Sequence, residues 1–369
     1  MVLGLYMAQM NFNIEAKEAI DPIIDLAIKH DYKKRLCQIY SIMGCYYCFA
    51  EENYPEAFKT LEEALKIPEE VKDNLTSVLP NFWFGTALGW NCEFERSANY
   101  FQRALDINFA VKNVWGISAT KSALSYFSYY HHGKIGLQFQ TTEEALRIAE
   151  ESGDIYPKAM AYTNHGISCY GKGSLEEAEK HLLKGVEFCE RINFYSWNGC
   201  ARLHLGETYL EMGDFPRSKE HYEKGIWVLE NIRLLPSWVN LTRVGLARSK
   251  VMNKEKDVNL ESLYVHSRNN KVKVLEGWFP RFIGEILLNV DDQHISEAEH
   301  WIQKAIDADQ RNRMMFHLGK DYALYADLFK RKGERLKARE NLGKAIEILK
   351  ECGADGWVEK AEKELAMIT

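Results

Sequence analysis

Cys45-Tyr46-Tyr47-Cys48 is the first place in this chain where residue types and spacing allow chemistry. Two thiols three residues apart act as a redox pair in a thioredoxin-like βαβ unit, or as half of a metal site when a second pair faces them. Neither context surrounds them here, because the pair follows Gly44 in mid-helix. Gly166-Ile-Ser-Cys-Tyr-Gly171-Lys172-Gly173 has the outline of a phosphate loop. That chemistry needs Ser or Thr directly after the lysine to hold magnesium, and a strand before the loop. Gly173 stands in that place, so the stretch reads as a turn between helices. His131-His132, His294, His300 and His317 show no H-E-x-x-H spacing, and Asp291-Asp292 lacks the rest of a calcium loop. No nucleophile elbow or catalytic carboxylate pair is visible. The sequence therefore predicts a chain without catalytic residues, metal or cofactor.

A second set of residues suits recognition. Trp115, Trp197, Trp238 and Trp278 are spaced for the starts of helices that line a concave face. There they form either a groove for a peptide, a helix or an apolar ligand, or the packing between helices. Lys121, Tyr162, Arg202, Arg243, Arg281, Lys320 and Asp327 are expected on or near the same face, where the cations are placed to receive a carboxylate or phosphate. Trp278 completes that candidate binding set.

What must position these side chains is a repeat. The stretch LGETYLEMGDFPRSKEHYEKG (205–225) reads as helix, turn and helix, with Leu203, Gly206, Tyr209 and Leu210 on one face and Tyr222, Ile226 and Leu229 on the next. Aligned on Gly206, equivalent anchors fall at Gly4, Gly44, Gly85, Leu124, Gly166, Gly245, Gly284 and Ala326. The steps are 40, 41, 39, 42, 40, 39, 39 and 42 residues. Twelve residues after most anchors comes a small residue: Ala16, Ser97, Gly136, Ala178, Ser218, Ser296 and Ala338, with Ala57 one late. An apolar or aromatic residue follows four later at Ile20, Phe101, Leu182, Tyr222 and Leu342. Turn signals separate the two helices at Asn53-Tyr54-Pro55, Gly133-Lys134, Gly213-Asp214, Asp291-Asp292 and Gly333-Glu334. After Gly245 the pattern fails, and the second helix there is expected to be short or displaced.

The 369 residues carry a net charge of −6, which argues against a duplex nucleic-acid binder. No apolar run approaches the roughly 20 residues that span a bilayer. The start MVLGLYMAQM lacks the basic region of a signal peptide. The eight scattered cysteines read as reduced thiols of a cytoplasmic protein. The expected fold is all-α: a right-handed superhelical solenoid of about nine antiparallel helix hairpins. Residues 1–354 form the array, whose first helix reads as truncated, as in a piece of a larger protein. Residues 355–369 form a terminal capping helix.

The hairpin pattern resembles a tetratricopeptide repeat of long period. EEALRIAEESGD (143–154), the 205–225 stretch and the ending KECGADGWVEKAEKELA resemble the C-terminal arrays of bacterial STAND-type signalling ATPases. The Gly-Ala-Asp-Gly-Trp ending is most similar to members with an N-terminal class III adenylate or guanylate cyclase domain. The resemblance implies a non-catalytic sensor and scaffold arm that binds a protein, peptide or small effector and relays this to upstream domains of the same polypeptide. A stand-alone peptide receptor of the pheromone-binding type is the alternative.

Overall fold

The computed structural model describes residues 1–255 and 257–368. Among them are twenty α-helices and no strand. The first helices of the hairpins are α1 (Val2–Gln9), α4 (Lys33–Tyr46), α6 (Val78–Trp90), α8 (Val114–Leu124), α10 (Ile155–Lys172), α12 (Tyr195–Glu211), α14 (Pro236–Met252), α16 (Trp278–Val290) and α18 (Met315–Arg331). The second helices are α2 (Asn13–Ile20) continued by α3 (Ile24–Lys29), α5 (Tyr54–Val71), α7 (Phe94–Ala110), α9 (Ile135–Ser152), α11 (Leu175–Arg191), α13 (Phe215–Asn231), α15 (Leu260–Arg268), α17 (Ile295–Arg311) and α19 (Arg335–Cys352). α20 (Asp355–Met367) packs on α19. Nine hairpins and a last single helix follow the period read from the sequence. Lys256 and Thr369 lie outside the described residues. α15 is only nine residues long, as the failed pattern after Gly245 predicts.

All nine anchors are buried. A Cβ at Gly206 would meet the Tyr222 ring at 2.6 Å, at Gly85 the Phe101 ring at 3.0 Å, and at Gly166 Leu182 at 2.6 Å. Only a residue without a side chain lets the large residue of the second helix come so close. Serine at the next small position adds a bond. Ser218 Oγ donates to the Gly206 carbonyl at 2.7 Å and lies 2.6 Å from Ser249 Oγ of the following first helix. Ser97 repeats this with the Gly85 carbonyl and Ser128.

In two hairpins the small position is displaced from where the spacing puts it. Ser296 is exposed and Ala298 is buried in its stead; Gly136 has nothing within 4 Å of its would-be Cβ, and Gln138 is the buried residue. Wider or irregular turns precede both: a π-helical segment at Ser125–Tyr130 and a 3-10 turn at Asp292–His294. A second π segment, Tyr47–Glu51, precedes the late Ala57.

The first helices lie inside and the second outside. Fourteen of the seventeen residues of α12 are buried but six of the seventeen of α13, so α12 is covered on nearly all sides. The covering comes from distant repeats. Phe12 packs edge-on against Tyr195, and the Tyr156 hydroxyl donates to the Gln9 carbonyl at 2.9 Å. The Leu235 amide donates to the Phe49 carbonyl at 2.8 Å, and Glu52 accepts from the Ser237 amide and hydroxyl at 2.9 and 2.6 Å. Lys172 donates to the Gly353 carbonyl at 2.7 Å and pairs with Asp355. Hairpin one thus meets five and six, two meets seven, and five meets the last helix: one superhelical turn takes about five hairpins, and successive turns touch. Gly173 marks one of the closest approaches. Its φ is +81°, and a Cβ there would sit 2.8 Å from Gly356 Cα.

Candidate functional site

Close winding turns the concave face into an interior. Its centre is aromatic. Trp278 is 1% exposed, and around it lie Trp238 at 6.2 Å, His204 at 6.1 Å, His131 at 6.3 Å and His317 at 4.6 Å between ring centroids. Tyr130 touches all three histidines. Burial holds the imidazoles of His131 and His204 down to about 3, so both are neutral rings. Burial, then the Arg281 charge, also lowers His317 well below its usual value.

Towards the C-terminal end the interior becomes ionic. A cavity of about 140 Å³ opens between α12, α14, α16, α18 and α20. Four cations (Arg248, Arg281, Lys320, Lys360) and four carboxylates (Glu211, Glu285, Asp327, Glu364) line it. Arg248 bridges Glu207 and Glu285, each at 2.7 Å, and lies 4.2 Å above the Phe282 ring. Glu207 also accepts from the Tyr222 hydroxyl. Glu211 accepts from Lys320 at 3.0 Å and Lys360 at 2.9 Å. Lys320 also reaches the Tyr170 hydroxyl and stands 4.1 Å over the Trp357 ring, whose Nε1 donates to the Tyr170 carbonyl at 2.8 Å. Arg281 lies 3.4 Å from Asp321 and 3.7 Å from Asp309, with Trp278 at 5.6 Å.

The electrostatics follow from burial against pairing. Burial pushes the Glu211 carboxyl up, but Lys320, Lys360 and Arg248 outweigh it and hold it below the usual range. Burial raises Glu285 despite Arg248, and lowers Lys320 despite Glu211. Burial also pushes Asp321 up to about 6 against the pull of Arg281. Arg248, Arg281, Lys320 and Glu211 are largely buried and paired, while Lys360 and Asp327 stand exposed at the mouth, so a charged group that enters must displace a partner that is already paired.

The residues expected on the concave face separate into two groups. Arg281, Lys320 and Asp327 line the charged cleft, with Trp278 against Arg281. Lys121 pairs with Glu144 of α9 at 2.8 Å, Arg202 with Glu190 of α11, and Arg243 with Glu230 of α13. Tyr162 lies against His181 and Lys184 of α11. These four face the outer helices. Trp115 stacks on Tyr156 at 4.8 Å, whereas Trp197 and Trp238 are buried in the interior. Glu207, Glu211, Arg248 and Glu285 escaped the sequence reading. The available signal is the acidic residue directly after the anchors Gly206, Gly284 and Ala326, namely Glu207, Glu285 and Asp327.

All eight cysteines are free thiols, and burial raises those of Cys45 and Cys48 well above their usual range. Among the described residues no group of His, Cys, Asp or Glu is arranged to hold a metal ion, and no helix is long and apolar enough to cross a membrane.

Several solved structures share this fold. The Rap conjugation gene regulator of a plasmid, in complex with a Phr peptide, matches with a TM-score of 0.55 at 12% identity, covering 87% of this chain and 96% of that one. Aspartyl phosphate phosphatase F from Bacillus subtilis matches with a TM-score of 0.54 at 14% identity, over 93% and 91% of the two chains. A signal transduction ATPase with numerous domains, carrying a tetratricopeptide repeat sensor, from Pyrococcus horikoshii gives 0.48 at 16% identity. This chain covers 51% of that one and is itself covered over 98%. No protein-family model and no curated protein sequence matches the chain. At such identities the likeness shows the fold: a helical-repeat solenoid of the tetratricopeptide type.

Proposed function

We propose that this chain is a non-catalytic recognition and sensing module that binds a protein or peptide in the charged cleft at the C-terminal end of its channel. One observation carries the reading. Four cations and four carboxylates line one cavity between first helices and the last helix, and among them Arg248, Arg281, Lys320 and Glu211 are largely buried, where apolar side chains would serve stability at least as well. Matched charges of both signs suit a peptide end or side chain that exchanges for one of the existing partners. Arg281, Lys320 and Asp327 are the contact residues of this reading, with Trp278 behind them. The Phr peptide bound by the Rap regulator of like fold supports a peptide as the occupant.

In the fuller version the array is residues 1–354, capped by residues 355–369, and forms the C-terminal arm of a bacterial cytoplasmic signalling protein with an ATPase and a class III cyclase. The quoted sequence stretches, ending in Gly353-Ala354-Asp355-Gly356-Trp357, support it. A stand-alone peptide-binding regulator is the second reading, supported by the coverage of 96% of the Rap regulator chain. The reading frame upstream of Met1 separates the two: a cyclase and a phosphate loop there support the first, and a DNA-binding or phosphatase helical domain supports the second.

The test is a fluorescence-polarisation screen of short, free-ended peptides against the chain. Binders should lose about tenfold or more in the Lys320→Met/Glu211→Gln variant, which removes the buried pair and leaves only the exposed Lys360 without its carboxylate, and should be indifferent to Lys121→Met. A screen that yields no binder, or binders unmoved by every change in the cleft, sinks the proposal.

A further inference from the structure

The roof of the charged cleft is α20, and it is held differently from the helices beneath it. Three of its thirteen residues, Trp357, Val358 and Ala361, are buried, against eight of seventeen in α18. A single turn at Gly353-Ala354 joins it to α19. It covers the cavity without filling it: Trp357, Lys360, Ala361 and Glu364 line about 140 Å³ of open space. Polar contacts fasten it across that space to hairpins five and six. Lys172 donates to the Gly353 carbonyl and pairs with Asp355, the Trp357 indole donates to the Tyr170 carbonyl, and Lys360 meets Glu211.

Departure of α20 would orphan no buried charge. Glu211 keeps Lys320 at 3.0 Å, and Lys330, which also meets Glu364, keeps Asp327 at 3.1 Å. Arg248 and Arg281 are paired without any residue of α20. The Tyr170 carbonyl keeps the Gly173 amide at 2.9 Å. On the departing side the Lys360 and Asp355 side chains are already 53% and 72% exposed, so water replaces their partners at little cost. The penalty that holds a buried pair together is therefore absent here. The loss is apolar. It is chiefly the seat of Trp357, with Tyr170 at 5.3 Å, Phe316 at 6.2 Å and Lys320 over its ring, together with Val358 and Ala361. A helix with so few buried residues stands at the low end of local stability.

We propose that α20 is a lid on the charged cleft: it opens as a unit while the nine hairpins stay folded, and the open form admits the occupant. This rests on the reading of the cleft as a binding site and adds how that site is reached. Closed, α20 keeps Lys360 on Glu211 and Trp357 against Lys320, two of the groups that an incoming charge would engage.

Native-state hydrogen exchange of the full chain tests the lid without any ligand. Amides of α20 should exchange roughly tenfold or more faster than those of α18 and α19, at one common rate along the helix, whereas fraying from the C-terminal end would give a gradient. Lys172→Met removes the clasp outside the cleft; it should speed exchange in α20 about fivefold and leave α12 and α14 unchanged. Asp355→Asn, at an exposed side chain, should act in the same way and takes the place of Lys172→Met if that variant loses helical circular dichroism. A peptide that binds the cleft should associate about fivefold faster with Lys172→Met than with the unaltered chain. Exchange of α20 and α19 at one rate, a gradient along α20, or exchange unmoved by the clasp variants overturns the lid, and so does a binding peptide whose association rate does not change. A peptide screen without binders sinks the reading of the cleft alone, because the exchange result decides the lid by itself.

Discussion

In the first five hairpins the residue directly after each anchor is uncharged: Leu5, Cys45, Thr86, Ser125 and Ile167. In the last four it is Glu207, Leu246, Glu285 and Asp327. The charged end of the interior follows this difference. An apolar void walled by tryptophan and tyrosine lies between hairpins two to four and the overlying hairpins five to seven, whereas the buried ion pairs gather in hairpins six to nine and the last helix. The packing positions are the same in both: Gly44 against Leu61 and Gly85 against Phe101 in one, Gly206 against Tyr222 and Gly284 against Ile302 in the other. Anchors therefore build the scaffold, and the position beside them places Glu207, Glu285 and Asp327 at the charged end of the channel.

The largest effect should come from breaking the ionic half. Arg248→Met leaves Glu207 and Glu285 facing each other without their shared cation, and both are largely buried. Removing one partner of a buried pair costs about 3–5 kcal/mol. Urea denaturation should show that loss, and the triple change Arg248→Met/Glu207→Gln/Glu285→Gln should recover more than half of it. In the apolar half Trp90→Phe, which keeps a ring, should cost no more than about 1.5 kcal/mol. Equal losses in the two variants would mean that the ionic lattice is not a distinct kind of interior.

Next come the anchors, which should behave alike in both halves. A Cβ at Gly44 would lie 2.4 Å from Leu61 Cγ, and one at Gly206 2.6 Å from the Tyr222 ring. Gly44→Ala and Gly206→Ala should each destabilise by about 1–3 kcal/mol through overpacking. If one is tolerated and the other is not, the common scaffold fails in that half.

Much of this scaffold was legible in the sequence, because helix packing repeats every 40 residues or so and leaves its small residues in register. Every anchor proved to be buried. Where the register slipped, at Gly136 and Ser296, the preceding turn is π- or 3-10-helical, and single-residue spacing does not reveal that in advance. The closure of the superhelix was not legible. The Glu52–Ser237 contact joins residues 185 apart, and it depends on small rotations summed over five hairpins. For the same reason the tryptophans could be read only as groove or packing. Of the cations, Arg281 and Lys320 reach the cleft, while Lys121, Arg202 and Arg243 each meet a glutamate of an outer helix.

Where the two halves meet, the histidines make the boundary sensitive to acid. His131 faces Tyr126, Tyr130, Trp238, Trp278 and His317; His204 faces Tyr126, Tyr130, Tyr170 and Trp278, with the Lys320 charge nearby. No carboxylate is among these neighbours to receive a protonated ring. Both groups sit at about 3 in the folded chain, against an ordinary value near 6.5. Between those values the unfolded chain binds the extra protons, so stability is present above about pH 6.5 and falls as the pH drops towards 3. Asp321, raised to about 6, takes up a proton in the folded state over part of this range and opposes the trend, so the test is a difference between variants. His131→Phe should reduce the slope of unfolding free energy against pH by about 1.4 kcal/mol per unit between roughly pH 4 and 6. An unchanged slope would show that His131 is already solvated or paired.

The smallest effect tests the outer surface, where the halves should not differ at all. Gly136 in α9 and Gly343 in α19 have nothing within 4 Å of a would-be Cβ, and neither has a positive φ. Each sits in a helix with open space where a side chain would point, so glycine there adds chain entropy to the unfolded state without a packing benefit from the missing Cβ. Gly343→Ala should stabilise by about 0.5–1 kcal/mol, and Gly136→Ala, one residue inside its helix, by less. Calorimetric melting would resolve both against the losses expected at Gly44 and Gly206. A loss at Gly343 would show that an outer face of the array is in contact with another chain in solution, because nothing within this chain lies close enough to resist a methyl group.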